Sequence, residues 1–486
     1  MKTALCLNGA NLKLEDLFSV LEGRLYEVKV LEGEAGQLDE ELFMLRESLI
    51  PGGKSQTMPL DIPQAYAECR GELLPKGIGM LSLYLLLNES LKYSHILGTA
   101  LVERILCYIN NGIFPCIHKM NKTELSAMSE LALALEGDEN TLCFFNGESS
   151  STVRVLEAAG LDRYEYTIEE ITFITNLCCI STAVTVLALK EAEKLAKTAD
   201  VCTAMNLEAI RGETGAFDKR LHELGRPFPN QIISAENIRR VIEGSEFTTE
   251  KARIVYGGDH GPRCQDAICI RAVPQTHGGV RDTIQWLKEN LKNEINSISH
   301  RINPVIGYSI DLMITALIDL GNISERRSFR LTDTNLTYGL PMNLVGENPG
   351  FNHGFPVIQA SATAVLGELK LLSMPCTAYS TIDPVSKEYI CTTYSSALKT
   401  IEVISLLDKI LAVELLMAAQ GMDLAKDRLV DFEFGAGSKA ALTEFRKHIK
   451  VTRSNRFAVP DMVESDRLVR ESIVLNAVEE AVGKLM

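Results

Sequence analysis

A mainly α-helical protein is the fold class this sequence predicts, on three observations. Apolar residues recur at three- and four-residue spacing over 80–111, 124–136, 168–197, 280–300, 308–323, 356–373, 394–421 and 465–484. Strand signals are confined to "YEVKVLE" (26–32) and "ICTTY" (390–394). No Pro- or Gly-rich linker, internal repeat or low-complexity stretch interrupts the 486 residues. Length alone would allow about three domains, but the unbroken helical patterning points to one interconnected core.

Each segment has its own reason. The opening "MKTALCLNGANLKLEDL" turns polar within ten residues, so no signal peptide is expected. "ELSAMSELALAL" (124–135) reads as the start of an apolar helix with a carboxylate in its first turn. The most apolar run, "ITFITNLCCISTAVTVLALK" (171–190), carries Asn176 and several Thr and Ser, which favours a helix buried in a bundle over a membrane span. Segments 308–323 and 394–421 are apolar around most of their circumference and need neighbours from other subunits. Glycine and proline mark local turns at "PGGK" (51–54), "YGGDHGPR" (256–263) and "GENPGFNHGFP" (346–356).

Composition excludes several functions. With 49 Lys and Arg against 64 Asp and Glu, the net charge is −15 and no basic stripe is visible. Nucleic acid and anionic membrane are therefore not expected partners. Twelve cysteines form no CxxC pair, the pattern of reduced, mostly buried thiols in a cytoplasmic protein. His118, His260 and His277 lack metal-ligand spacing, so no metal is expected.

From "GNISERRSFRLTDTNLTYGLPMNL" (321–344) through "NPGFNHGFPVIQASATAVLGELKLLSMPC" (348–376), the chain resembles the histidine and aromatic amino-acid ammonia-lyase family, which includes the aminomutases. "RCQDAICIRAVPQTHGGVRD" (263–282) is similar to the family segment around its substrate-carboxylate arginine, and "NEINSISHRINPV" (293–305) to its Glu-Ile-Asn-Ser helix. "RLHELGRPFPNQIISAENIRRVIEGS" (220–245) and "LNGANLKLEDL" (7–17) also fit. The resemblance implies one ammonia-lyase-like long-helix domain over 1–486. Its N-terminal part is 1–200, its central bundle 201–425 and its C-terminal helical part 426–486. It further implies a homotetramer, with an active site at helix N-termini, where free N–H groups favour an electron-poor cofactor and a carboxylate. The family's cofactor is a methylidene-imidazolone formed from an internal Ala-Ser-Gly triplet.

That triplet is missing. Aligned on the family's "DLAPLAHLALAL", residues Glu124 to Leu135 put Asn121-Lys122-Thr123 in its place. Lysine has no hydroxyl to eliminate, and Thr123 is β-branched where glycine is wanted. Five further departures accompany this one. Ile268 takes the position of the tyrosine before the arginine. Arg211 takes that of the Asn-Gly-Thr asparagine. The Asn-Phe-His-Gly loop expected between Pro304 and Asp311 is absent, as is the Tyr-Gly-x-x-Thr-Gly loop near 50–60. Of the Gln-Glu-Asp motif only Glu388 survives, between Lys387 and Tyr389.

The resemblance places Arg271 at the substrate carboxylate, against a structural ion pair as the alternative. Arg211 either recognises an extra anion or pairs with Glu388. Glu388 is a general base or a structural carboxylate, and Lys122 a desolvated nucleophile or a solvated lysine. Asn352 and Gln359 hold backbone and pocket geometry. Two functions follow: a cofactor-free enzyme acting on an amino-acid-like or peptidyl substrate by elimination or addition, or a silent homologue that binds a ligand or joins an active relative in a mixed tetramer.

Overall fold

Apolar spacing becomes helix almost wherever it occurs in the computed structural model, which describes residues 4–24, 27–31, 60–259, 263, 265–297, 303–378 and 391–486. The longer helices are α1 Leu14–Leu21, α2 Lys76–Lys92, α3 Ala100–Asn111, α4 Glu124–Glu136, α5 Ile168–Thr175, α6 Cys179–Ala209 and α7 Pro229–Val241. They continue with α8 Val273–Asn296, α9 Pro304–Leu331, α10 Pro356–Leu371, α11 Thr393–Lys426, α12 Ala436–His448, α13 Val459–Arg470 and α14 Ile473–Val482. Strands are few. β1 Ala4–Leu7 pairs in parallel with β2 Glu27–Val30, while β3 Phe114–Pro115, β4 Leu142–Phe145 and β5 Glu148–Ser151 form an antiparallel sheet.

Three expected helices are interrupted. The 80–111 segment breaks before α3 at Gly98, whose φ of 74° no helix residue adopts. The 168–197 segment breaks between α5 and α6, where Asn176 caps the end of α5. The 465–484 segment breaks at Ser472, held left-handed at φ 60°. The expected strand over 390–394 does not form: Thr393 and Tyr394 already belong to α11. Pro304–Leu331 is one continuous helix, so no Asn-Phe-His-Gly loop interrupts it.

The chain divides into two compact units, each assembled from three separated stretches. The first comprises 1–190, 287–311 and 375–401. Within it every residue of α2 from Ile78 to Lys92 is buried, and the one charge pair there, Glu89 with Lys92, closes on itself at 2.6 Å while Lys92 also donates to the Ser297 carbonyl. The second comprises 191–286, 312–374 and 402–486. Its core holds an Arg327–Glu414 ion pair with no exposed surface, supported by the Ser324 hydroxyl on Glu414 at 2.6 Å. It also holds Asp200, which accepts from Arg281 at 2.8 Å and Asn237 at 2.9 Å and lies 2.7 Å from the His277 ring. Such buried charges persist only when partnered.

Two helices, 168–209 read with its break and Pro304–Leu331, have the length and hydropathy of membrane spans, but 78% and 61% of their apolar windows lie buried in protein. A bundle helix accounts for both. The third such helix, Pro356–Ala378, is only 28% buried.

Candidate active site at four helix N-termini

In the first unit, the starts of α4, α6, α9 and α11 are joined in a closed ring. Glu124, the first residue of α4, accepts the backbone N–H of Ile180 at 3.0 Å and of Ser181 at 3.1 Å, so its carboxylate caps α6. Cys178, just ahead of α6, directs its thiol to Glu294 at 3.5 Å. The other oxygen of Glu294 accepts from Asn303, the residue before α9. The Asn303 carbonyl in turn accepts the Thr393 hydroxyl at the start of α11, at 3.0 Å. Tyr394 closes the ring by donating its phenol to the Asn121 carbonyl at 3.0 Å. Four helix N-termini give this ring a positive field, the setting in which carboxylates and anionic ligands are held.

The Asn121–Thr123 segment lies within that ring and is wired residue by residue. Asn121 is fully buried. Its amide donates to Glu130 at 2.5 Å, and its oxygen accepts the Ser126 hydroxyl at 2.6 Å and the Glu68 amide at 3.0 Å. Thr123 caps α4 by accepting the Ser126 amide at 3.1 Å. Lys122 between them is exposed. Glu130 has no exposed surface. It takes the His118 ring at 2.5 Å and the His118 amide at 2.8 Å, and it pushes the half-buried Cys69 thiol, already raised by burial, up to about 12.

The family's cofactor does not fit this segment. Cyclisation needs the backbone around the triplet to fold onto itself, and here Asn121 is tied at its amide, its oxygen and its carbonyl. Thr123 is committed to a helix cap, and Lys122 brings no hydroxyl.

Four other expected site residues lie in the second unit, and each has a describable role. Arg211 is buried at the left-handed φ of 52°. It donates to the carbonyls of Ala209 at 2.6 Å, Thr337 at 3.1 Å and Tyr338 at 2.6 Å, with its plane 3.6 Å from the Tyr256 ring centroid. Burial draws it down to about 10, still charged at neutral pH. Three carbonyls and a ring occupy the guanidinium, so it ties a loop down and does not present itself to an anion. Asn352 donates to the Glu347 carbonyl at 2.7 Å and accepts the Asn455 amide at 2.9 Å. Gln359 donates to Glu325 at 2.8 Å. Both side chains are engaged by other groups of the protein. Arg271 differs. It is half-buried at the end of the short helix Ile268–Arg271, and among the described residues its guanidinium donates only to the Asp266 carbonyl, at 3.4 Å. Most of its fork has no partner among the described residues. Glu388 lies outside the described residues, as do His260 and the segment expected to replace the Tyr-Gly-x-x-Thr-Gly loop.

Sequence reasoning passed over three residues. Asn176 occupies the turn between α5 and α6, beside the helix start that Glu124 caps, and it makes a nearer match to an asparagine facing the cofactor segment than Arg211, which follows the other end of α6. The signal was present: "NLCCISTA" begins with the asparagine at the break in the apolar run. Glu130 stands where the aligned family string has a histidine, and His118 supplies a histidine from the other side, a paired exchange invisible without contacts. Glu294 is drawn upward by burial and bridges two helix starts.

Comparison with known proteins gives the family and the fold. Residues 46–447 match the family model described as aromatic amino acid lyase. The chain is 29% identical over 483 residues to a histidine ammonia-lyase of Alkaliphilus oremlandii, covering 95% of this chain and 88% of that one. It is 28% identical over 467 residues to a histidine ammonia-lyase of Streptococcus pyogenes, covering 91% and 85%. Among solved structures, a tyrosine aminomutase from Streptomyces globisporus superposes with a TM-score of 0.86 at 25% identity, covering 100% of both chains. A histidine ammonia-lyase from Trypanosoma cruzi superposes at 0.81 with 24% identity, covering 99% and 96%.

Proposed function

Because the chain belongs to the aromatic amino acid lyase family, we propose that it acts on an amino-acid-like or peptidyl ligand by acid–base elimination or addition, without a methylidene-imidazolone. One observation carries the reading: the segment in the cofactor's place holds a buried, hydrogen-bonded Asn121 and a helix-capping Thr123, with Lys122 exposed where the dehydrating serine would stand. The site itself is retained as a ring of four helix N-termini, which a scaffold kept only for bulk has no need of. In this reading Arg271 holds the ligand carboxylate through its uncommitted donors, and Glu388 and Lys122 exchange protons with it. Asn176 takes the place of Arg211 in the ligand-binding set, and Asn352 and Gln359 keep the supporting roles expected of them.

Intact mass tests the cofactor. The full chain should appear unprocessed; a deficit of about two waters, the mass that cyclisation and serine-type dehydration remove, would overturn the proposal. Calorimetry with amino acids tests the ligand. Arg271→Ala should weaken the best of them by about 2 kcal/mol, since an ionic partner is lost. A variant that binds as tightly as the parent removes Arg271 from the site.

The silent alternative, a ligand-binding or regulatory subunit in a mixed tetramer with an active relative, is favoured by Arg211, whose guanidinium is spent on the protein's own carbonyls. Tight amino-acid binding with no turnover would select it. Either way the protein is expected in the cytoplasm, as a homotetramer unless a relative joins it.

A further inference from the structure

One carboxyl in the second unit is buried without a counter-ion. Glu208, in the last turn of α6, has no exposed surface, and its Oε1 accepts the backbone N–H of Gly435 at 2.9 Å, the residue just ahead of α12. Its Oε2 and the buried hydroxyls of Ser245 and Ser438 lie close together without well-formed hydrogen bonds. The surrounding space is closed. A Cβ on Gly435 would come within 2.5 Å of Ile242 Cα, and one on Gly437 within 2.8 Å of Val241 Cα, so the start of α12 sits hard against the end of α7. Three elements thus meet on one carboxyl.

The charged groups on those elements are engaged elsewhere. Lys439 pairs with Glu433 at 2.7 Å, and Glu246 accepts the Glu433 amide at 2.8 Å. On α7, Arg239 goes to Glu236 and the Phe217 carbonyl, and Arg240 to the carbonyls of Val482 and Lys484. Arg211, three residues on from Glu208, is spent on its own carbonyls. Burial therefore dominates and raises the Glu208 carboxyl to about 7, against the opposing pull of the two hydroxyls and the Gly435 amide.

We propose that Glu208 is a proton-linked latch for the N-terminal turn of α12. Protonated, it carries no charge into the dry gap while still accepting from Gly435, and the joint closes. Ionised, it leaves a charge in a dry gap, and the turn opens more readily. The folded-state value lies above the ordinary 4.5, so the stabilisation is complete below about 4.5 and is lost as pH rises through about 7.

Hydrogen exchange over 435–448 in the full-length protein tests this. After correction for intrinsic exchange, the opening constant should rise about tenfold from pH 6 to pH 8, climbing while the closed state keeps its proton and the open state is ionised, and levelling off above about 7. Glu208→Gln, which mimics the protonated form, should flatten that rise. Ser438→Ala, which removes a hydroxyl favouring the ion, should move it to higher pH and serves if the glutamine variant fails to fold. A wild-type profile without the rise overturns the latch, as does the same rise in the Gln variant or an unmoved midpoint in the Ala variant.

Discussion

Asp408 shows how a single buried charge sets a pH response. It is 9% exposed, its Oδ1 lacks a partner, and burial raises its carboxyl to about 6 even though Lys194 stands nearby. Lys194 is itself drawn to Glu191 and the Arg470 carbonyl, so the cation on hand is shared. A raised carboxyl loses stabilisation as pH climbs from its unfolded value through about 6, a penalty of about 3 kcal/mol at pH 7.5 at 1.36 kcal/mol per unit. Asp408→Asn should recover most of that at pH 7.5 and nothing at pH 4, read by denaturant midpoints. Arg211 shows the opposite limit. Sequence reading could see a new guanidinium but not that three carbonyls had claimed it, because those carbonyls come from residues up to 127 positions away.

At the scale of elements, most helices were legible because their apolar period is long and regular. What was missed lay in short signals. The hairpin β4–β5 turns on Asn146-Gly147, both left-handed at φ 52° and 91°, the dipeptide that a two-residue hairpin demands. "FFNGES" announced it, but four-residue strands carry too little alternation to register. Gly147→Ala should cost about 1 kcal/mol, from backbone strain alone, since a Cβ there meets open space. A cost near zero by urea denaturation would show that the turn relaxes. The strand expected at 390–394 failed for a related reason: β-branched threonines at a helix start act as caps and first-turn residues and say little about strand. The site's ring was legible only in outline. The loss of the triplet could be read directly, whereas the Glu124, Glu294 and Tyr394 bonds that close the ring join residues from four distant segments.

For the whole molecule, exposure predicts assembly. Helix α10 presents Val357 at 64% and Leu371 at 83% exposure, and α9 presents Tyr308 at 50% and Leu312 at 47%. Apolar helix faces left this open call for cover by further subunits. Light scattering at micromolar concentration should give about four chains per particle; a monodisperse monomer would contradict this.

Assembly of each unit from three separated stretches also has a consequence for synthesis. The first unit cannot be completed until residue 401 has left the ribosome, because Tyr394 must reach back to Asn121. At roughly 5–20 residues per second, that leaves apolar α2 and α4 without their final neighbours for about a quarter of a minute to a minute. The nascent chain should therefore gain from holdase protection, and its yield on expression should fall with temperature faster than the stability of the finished protein does.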